Sequence, residues 1–336
     1  MGTMRIALLG AMGFVGRDAA RELAARTEVR DLLLVDYNVR EARKFARALS
    51  PKCRWAMADV GRSADLRRLL GDIDAAANAA GPCREYEMPV LLTCAGSGVS
   101  AASVGDGALS AEDRREAHDA FRRNGAAAVR GCGLMPGWTE LLSAHFLGAA
   151  GEGIPISPPR AETRFLHFRP DRFGGYAFFR RVAREIGPPA PAPPRAPEGR
   201  YFESGDRTVF GLPEGRPAAL FGGIAGGLGS LGTAGREMSA ALLFWLRGIL
   251  GPGGDPPAAV AGVVAGDGPA GGFAAVSDPR GRLAGALLAE AVLRLARERE
   301  GRTGLLRLPE IIGSETARKL AASCRAEIAE GRTDPR

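Results

Sequence analysis

The stretch that decides the fold is Arg5-Ile-Ala-Leu-Leu-Gly-Ala-Met-Gly-Phe-Val-Gly-Arg17. Its apolar run, Ile6 to Leu9, is typical of a short buried strand. Gly10, Gly13 and Gly16 follow in the order GxxGxxG. In a strand–turn–helix unit, glycines at such spacing allow a sharp turn, close approach of a pyrophosphate and tight packing of the helix on the strand. The helix would then direct its free N–H groups and positive dipole end at the phosphates.

The residues after this helix support the same interpretation. A second apolar run, Leu32 to Val35, ends in Asp36, which lies 26 residues after Gly10. An acid at this distance accepts the ribose hydroxyls of NAD in many dinucleotide sites, and its charge disfavours the 2′-phosphate of NADP. Arg40 and Arg43 follow within a turn and could instead bind that phosphate. We therefore predict NAD or NADP, with NAD favoured; an ordinary βαβ unit with a glycine-rich turn is the alternative.

Apolar runs alternate with helical periodicity from Met4 to Gly133, which predicts an α/β fold with a doubly wound parallel sheet. Beyond residue 150 the pattern becomes period two, as in residues 161–168, and predicts a mainly antiparallel sheet. We expect a Rossmann dinucleotide-binding domain over 1–135, completed by C-terminal helices over 280–336. Residues 136–279 would form an α+β domain for substrate binding and dimerisation.

The predicted cofactor contacts lie in the phosphate loop and at the carboxyl ends of the strands. Asp59 ends the predicted third strand and could reach the adenine end of the cofactor. The small residues between Ile73 and Pro82 leave room for a flat ring at the sheet edge where α/β proteins bind ligands. The set is Gly10, Met12, Gly13, Phe14, Val15, Gly16, Asp36, Asp59, Val60, Ala79, Ala80 and Gly81.

The composition argues against several other classes of protein. The net charge is +7, but the arginines alternate with acids, as in residues 112–116, and aromatic residues make up only 6% of the chain. This distribution is typical of solvated helix faces, not of a nucleic-acid-binding surface. Five cysteines without a CxxC pair and three scattered histidines predict neither a disulfide framework nor a metal site. We expect a cytoplasmic protein without a membrane span, since the most apolar stretch, 240–250, is short and contains Arg247.

Two further blocks carry a family resemblance. The first is Asn78-Ala-Ala-Gly-Pro82, continued by Pro89-Val-Leu-Leu-Thr-Cys94 and Gly98-Val99. The second is Gly131-Cys-Gly-Leu-Met-Pro-Gly137 with Leu141-Leu-Ser-Ala144. Together with the phosphate loop, they resemble the saccharopine dehydrogenase-like oxidoreductases. The resemblance implies an NAD(P)-dependent dehydrogenase or reductase that transfers hydride at a C–N bond of a small-molecule substrate. It also implies a homodimer formed through the second domain.

The chain departs from the family pattern where Ser100-Ala-Ala-Ser103 replaces the usual His-Tyr-Val-Asp. No motif announces a proton donor, and Asp106 and His145 are the catalytic candidates. The candidates for contact with substrate are Cys83, Pro136, Gly137 and Arg164, with Arg169 as an alternative to Arg164. His167, on the same predicted strand as Arg164, is a further candidate for proton transfer. Two alternatives stay open: an enoyl-reductase-like enzyme, suggested by the apolar run 221–250, and a non-catalytic dinucleotide-binding protein.

Overall fold

The computed structural model describes residues 3–105, 109–147, 162–169, 172–173, 176–185, 189–190, 192–193, 196–197, 200–203, 208–212, 232–246, 258–265, 272–297 and 301–332. The strands are β1 (Met4–Leu9), β2 (Val29–Val35), β3 (Cys53–Ala56), β4 (Ala75–Asn78), β5 (Ser100–Ser103), β6 (Ala127–Val129), β7 (Glu162–Phe168), β8 (Pro189–Ala190), β9 (Arg200–Glu203), β10 (Thr208–Leu212), β11 (Ala259–Ala265), β12 (Gly272–Asp278), β13 (Gly304–Leu306) and β14 (Glu327–Arg332). The helices are α1 (Phe14–Ala25), α2 (Val39–Leu49), α3 (Ser63–Leu70), α4 (Cys83–Gly96), α5 (Ala111–Arg123), α6 (Trp138–His145), α7 (Tyr176–Glu185), α8 (Gly232–Leu246), α9 (Leu283–Arg297), α10 (Leu308–Ile311) and α11 (Ser314–Ser323).

The chain divides into two compact units. The first consists of Met1–Gly137 with Ala284–Ile312, and the second of Trp138–Leu283 with Gly313–Arg336.

The first unit is built on a seven-stranded sheet in the order β13-β6-β5-β4-β1-β2-β3. All of its strand pairs are parallel. The run β3-β2-β1-β4-β5-β6 is the strand order of the doubly wound dinucleotide-binding fold, and β13 extends it beyond β6. Ile6 to Leu9 of β1 and Ala75 to Ala77 of β4 have no exposed surface, as expected for central strands covered by helices on both faces. The predicted α/β class is confirmed.

The second unit contains a seven-stranded sheet in the order β14-β12-β11-β7-β10-β9-β8. The pair β7–β10 is parallel, and the other five pairs are antiparallel. The mainly antiparallel character predicted for this part of the chain is thus confirmed. Phe165 of β7 packs in its core with Val209, Val264 and Ala275 from other strands of the same sheet.

The C-terminal segment is divided between the units, whereas the sequence assigned all of 280–336 to the first domain. β13 pairs with β6 and so completes the parallel sheet. β14 instead pairs antiparallel with β12 over six residue pairs. This pairing is the reason that residues 313–336 group with the second unit.

The third strand is shorter than predicted, because it ends at Ala56 and not at Asp59. Asp59 lies in the loop that follows, where its Oδ1 accepts a hydrogen bond from the Gly61 N–H at 2.9 Å. A carboxylate that bonds the backbone two residues ahead stabilises a turn and competes with continuation of the strand.

Candidate functional site

The phosphate loop joins β1 to α1 in a conformation that requires its outer glycines. Gly10 has φ +71°, and a Cβ there would lie 2.6 Å from the backbone N and Cα of Ala80. A Cβ on Gly16 would overlap the Gly10 carbonyl oxygen. Gly10 therefore lets the loop turn against the end of β4, and Gly16 lets α1 pack on the loop.

Gly13 differs from the other two glycines because a Cβ there would make one tight contact but would not overlap the backbone. A Cβ there would lie 3.3 Å from the Gly10 carbonyl oxygen and 3.9 Å from the Ala79 carbonyl oxygen. Apart from its chain neighbours and the backbone of α1, no other atom of the described residues would lie within 4 Å. Its backbone angles, φ −67° and ψ 171°, are available to any residue. A Cβ here would need only a small shift of the loop, so packing requires glycine less strictly than at Gly10 and Gly16, and close approach of a ligand stays the predicted role of Gly13.

The N-terminus of α1 is fitted to receive an anion. Its N-cap, Gly13, offers no side-chain hydrogen bond, and the first turn contains no acidic residue. By contrast, α2 is capped by the Asn38 side chain and has Glu41 in its first turn, and α5 is capped by Ser110. A helix start with neither a cap nor an acid keeps N–H groups and a positive dipole end for a phosphate.

Asp36 connects this loop to the end of β2. The residue is 6% exposed. Its Oδ2 accepts from the Met12 N–H at 2.9 Å, and its Oδ1 accepts from the Asn38 N–H at 3.0 Å. Both carboxylate oxygens are therefore engaged by the backbone, and the side chain holds the phosphate loop in place. Recognition of the ribose by Asp36 stays a prediction.

Exposed apolar side chains lie beside Asp36 at the carboxyl ends of β2 and β3. Tyr37 is 83% exposed and Met57 is 67% exposed, and Val39 at the start of α2 is also exposed. Large apolar groups left in water are typical of a ligand surface. This edge of a doubly wound sheet is the place where the adenosine half of a dinucleotide lies.

The two arginines predicted as phosphate ligands have different surroundings. Arg43 packs its guanidinium 5.8 Å from the centroid of the Trp55 ring. Arg40 is exposed at the start of α2, and no carboxylate within the described part of the chain forms an ion pair with it. Of the two, Arg40 is therefore the better candidate for binding a 2′-phosphate.

Small residues and a buried amide form the edge at β4 and β5. Asn78 Nδ2 donates to Ser103 Oγ at 3.2 Å, and Asn78 Oδ1 accepts from the Ala80 N–H at 3.1 Å. Ser103 Oγ also accepts from the Gly105 N–H at 3.3 Å. The network holds the Ala79–Ala80 turn against the phosphate loop. The Asn78 amide and the Ser103 hydroxyl oxygen are engaged in these structural hydrogen bonds.

The sheet edge at which the sequence predicts room for a flat ring continues into α4. The peptide bond Gly81–Pro82 is cis, and Cys83, half-buried, begins the helix. Its Sγ lies 3.8 Å from the Ala80 carbonyl oxygen. Val60, in the loop after β3, packs against the core of this unit.

A buried ion pair at this edge was missed by the sequence analysis. Glu87 on α4 accepts from Arg130 Nε at 2.9 Å, and a second bond from Arg130 Nη2 makes the contact bidentate. The side chains are 3% and 16% exposed. A Cβ on Gly105 would overlap Glu87 Oε1. The only sign of it in the sequence is Arg130, a charged residue directly after the short apolar strand β6. Its position does not predict that Glu87 is its partner.

The other predicted residues are distributed as follows. Gly137 has φ +124°, and a Cβ there would overlap the Gly131 and Gly133 carbonyl oxygens, so it closes the 131–137 loop. Pro136 follows a cis peptide bond in that loop. His145 ends α6 in the second unit. Asp106 lies outside the described residues.

The strand β7, in the second unit, carries Arg164 and His167, and Arg169 directly follows it. Arg164 is half-buried on this strand, while His167 and Arg169 are 7% and 3% exposed. Their roles toward a substrate stay predictions.

All five cysteines are free thiols, and four of them are buried. Burial raises the pKa of Cys53 to about 11 and the pKa of Cys94 to about 12. Within the described ranges, no three His, Cys, Asp or Glu side chains cluster as a metal site would require. Nor does any helix in these ranges have the length and apolarity needed to cross a bilayer.

The first unit thus has the architecture and the loop of a dinucleotide-binding domain. Residues 6–129 match the family model described as the saccharopine dehydrogenase NADP binding domain. The resemblance that the sequence predicted is therefore confirmed for this domain. The description of the family gives no support to the NAD preference drawn from Asp36.

Two solved structures align with nearly the whole chain, and the first of them shares its fold. Saccharopine dehydrogenase (L-Glu forming) from Saccharomyces cerevisiae aligns over 98% of this chain and 100% of its own, with a TM-score of 0.62 and 13% identity. Dihydrodipicolinate reductase from Paenisporosarcina sp. TG-14 aligns over 92% of this chain and 99% of its own, with a TM-score of 0.48 and 10% identity. The domain match supports an NAD(P)-dependent oxidoreductase.

Proposed function

We propose that this protein is an NAD(P)-dependent oxidoreductase that transfers hydride at a C–N bond, by imine reduction or by the reverse oxidation of an amine or amino acid. The observation that carries the proposal is a phosphate loop whose Gly13 carries no side chain in front of an α1 with neither a side-chain cap nor an acid in its first turn. That arrangement suits a pyrophosphate. The family of the first unit supports the oxidoreductase class, and the C–N bond comes from the resemblance to saccharopine dehydrogenases.

Each part of the site has a role under this proposal. The N–H groups at the start of α1 bind the pyrophosphate, and Asp36 keeps the loop in register through Met12. Tyr37 and Met57 cover the adenine, and Arg40 pairs with a 2′-phosphate when NADP is bound. A bound nicotinamide cofactor supplies or accepts the hydride.

The strand β5 carries Ser100-Ala-Ala-Ser103 where the saccharopine dehydrogenase-like pattern has His-Tyr-Val-Asp. Ser100 Oγ accepts from the Ala127 N–H at 3.2 Å, and Ser103 Oγ serves the Asn78 network. Both hydroxyls thus stabilise the sheet, and neither has an acidic pKa suited to proton transfer. We therefore assign the proton transfer to a group outside β5, or to the substrate itself.

Titration with NADPH and NADH, followed by nicotinamide fluorescence, tests the first half of the proposal. Gly13→Ala should weaken binding of both by at least about tenfold, because its methyl group occupies the path of the pyrophosphate. The substitution should lower stability by only about 1 kcal/mol, the usual difference between good and poor N-caps. Gly71→Ala is the matched control, since a Cβ at Gly71 meets nothing within 4 Å. Tight binding by Gly13→Ala, or no binding by the parent protein, would contradict the proposal.

A screen of amine and keto acid pairs, with preformed cyclic imines in parallel, tests the second half. Oxidation of NADPH or NADH with one of these substrates is the expected result. Turnover only with an unsaturated acyl substrate would favour the enoyl-reductase alternative. Cofactor binding without turnover across the panel would favour a non-catalytic dinucleotide-binding protein.

A further inference from the structure

Arg17 directly follows the third glycine of the phosphate loop and points back along it. Its Nε donates to the Met12 carbonyl oxygen at 3.1 Å. Met12 is also the residue whose N–H is bound by Asp36 Oδ2 at the end of β2. The Arg17 guanidinium is therefore held at the part of the loop that is tied to the end of β2.

The same guanidinium reaches the first two turns of α2. Its carbon Cζ lies 5.4 Å from the centroid of the Phe45 ring, within the range of a cation–π contact. Its Nη2 lies 3.9 Å from Glu41 Oε2, which is close enough for an ion pair but too long for a hydrogen bond. Arg17 thus connects the phosphate loop to α2.

This position corresponds to the ribose end of a dinucleotide site. In the doubly wound fold, the pyrophosphate lies at the N-terminus of the first helix and the adenosine ribose lies near the end of the second strand. An arginine near this point accommodates the 2′-phosphate of NADP. Arg17 is placed to do so from α1, as Arg40 is from α2.

The Arg17 guanidinium is accessible although its direction is fixed. The side chain is 38% exposed. Within the described part of the chain, its hydrogen bonding involves only Nε, so the N–H groups of its two Nη atoms can face a ligand. The Met12 carbonyl and the Phe45 ring restrict its rotamers, which lowers the entropy lost when a phosphate binds.

Arg21, one turn further along α1, provides a direct comparison. Its Cζ lies 5.6 Å from the centroid of the same Phe45 ring. However, its Nη1 donates to Asp18 Oδ1 at 2.7 Å in an ion pair. The two arginines share an aromatic ring, but Arg21 is paired within its own helix and lies one turn away from the phosphate loop.

We propose that Arg17 binds the 2′-phosphate of NADP together with Arg40 and makes the site selective for NADP over NAD. A guanidinium suits this role because it binds a phosphate through two parallel N–H groups. The Glu41 carboxylate beside Arg17 opposes the phosphate by charge and limits how tightly it is held. The inference rests on the proposed dinucleotide site and adds the choice of cofactor to it.

Titration with adenosine 2′,5′-bisphosphate and with 5′-AMP tests the proposal by calorimetry, without turnover. The two ligands differ only in the 2′-phosphate. The parent protein should bind the bisphosphate at least about tenfold more tightly than AMP. Arg17→Gln should remove most of this preference by weakening the bisphosphate about tenfold and AMP less than about twofold. NADPH and NADH should show the same pattern in fluorescence titrations.

Two further variants separate charge from packing. Arg21→Gln is the matched control, because it removes a guanidinium from the same ring and the same helix, and it should leave both ligands within about twofold of the parent. Glu41→Gln should strengthen binding of the bisphosphate and NADPH several-fold and leave AMP and NADH unchanged, because it removes a charge of the same sign as the phosphate. Thermal melts of each variant report the integrity of the fold.

The outcomes separate this inference from the dinucleotide site on which it rests. Equal weakening of the bisphosphate and AMP by Arg17→Gln would assign Arg17 to positioning of the loop and overturn the inference, while the site itself would stand. A parent protein that binds NADH as tightly as NADPH would overturn it in the same way. No binding of either cofactor by the parent protein would overturn the site and the inference together.

Discussion

Neutralising Glu87 tests whether the ion pair at the sheet edge holds the first unit together. The carboxylate is bidentate to Arg130 and 3% exposed, and Gly105 packs against it without a side chain. Glu87→Gln keeps the shape of the side chain but removes the negative charge that is bidentate to the Arg130 guanidinium. Because Arg130 is only 16% exposed, water compensates for little of this loss.

The expected cost follows from the burial of both partners. Removing one member of a buried pair typically costs 3–5 kcal/mol, and we expect about 3 kcal/mol here because Arg130 keeps partial access to water. For a unit of this size, that corresponds to a melting temperature lower by about 6–12 °C. Glu85→Gln, exposed on the same helix, should stay within about 0.5 kcal/mol of the parent protein.

Urea denaturation and thermal melts of Glu87→Gln, Arg130→Gln and the double variant measure the effect. The double variant should lose less stability than the sum of the single variants by about 1.5–3 kcal/mol, as expected for residues in direct contact. A loss below 1 kcal/mol in Glu87→Gln, or additive losses, would refute the assignment of a stabilising buried pair.

The remaining predictions concern the cofactor edge. Asp36→Asn should weaken NADH and NADPH binding in similar proportion in parallel titrations. It removes one of the two side-chain oxygens that accept from backbone N–H groups, which should cost about 1–2 kcal/mol of binding free energy. A selective loss of NADH binding would instead assign Asp36 to the ribose. Arg40→Gln should weaken NADPH by about tenfold and leave NADH unchanged in the same assay. At pH 8 a thiol reagent should label Cys83 first and Cys94 last, since the pKa of Cys94 is about 12. Added NADPH should slow the labelling of Cys83. The same labelling rate with and without NADPH would place Cys83 away from the cofactor. Gly16→Ala should cost about 3 kcal/mol or more in denaturant unfolding, because its Cβ overlaps backbone that cannot move aside; near-parent stability would refute this packing.

The fold could be predicted largely because its signals are local. The apolar run before Gly10 and the spacing of the three glycines specify a strand, a turn and a helix in consecutive residues. The small residues before Pro82 likewise identify β4. Alternation of such units allows few topologies, since parallel crossovers are right-handed and short. The parallel sheet of the first unit followed from these facts.

The contacts that finish the site could not be predicted because they join distant residues. Asp36 was chosen as a ribose ligand from its spacing, but its bonds to Met12 and Asn38 depend on where the loop lies. Glu87 and Arg130 are 43 residues apart and belong to no motif. Periodicity identifies the elements and the faces they bury, but it does not identify the side chains that meet at the end of a sheet.

The departure at β5 bears on the chemistry that the site can support. Ser100 and Ser103 stand where the family has an imidazole and a carboxylate, and both hydroxyls are used by the backbone and by Asn78. Reduction of an enoyl group requires a proton at carbon after hydride arrives, so it depends on a positioned acid. A protonated imine already carries its proton and its positive charge, and hydride transfer to it yields a neutral amine without a protein acid. Forming that imine from an amine and a carbonyl does require proton transfers. We therefore expect a site lacking acids on β5 to favour a preformed imine over the separate amine and keto acid.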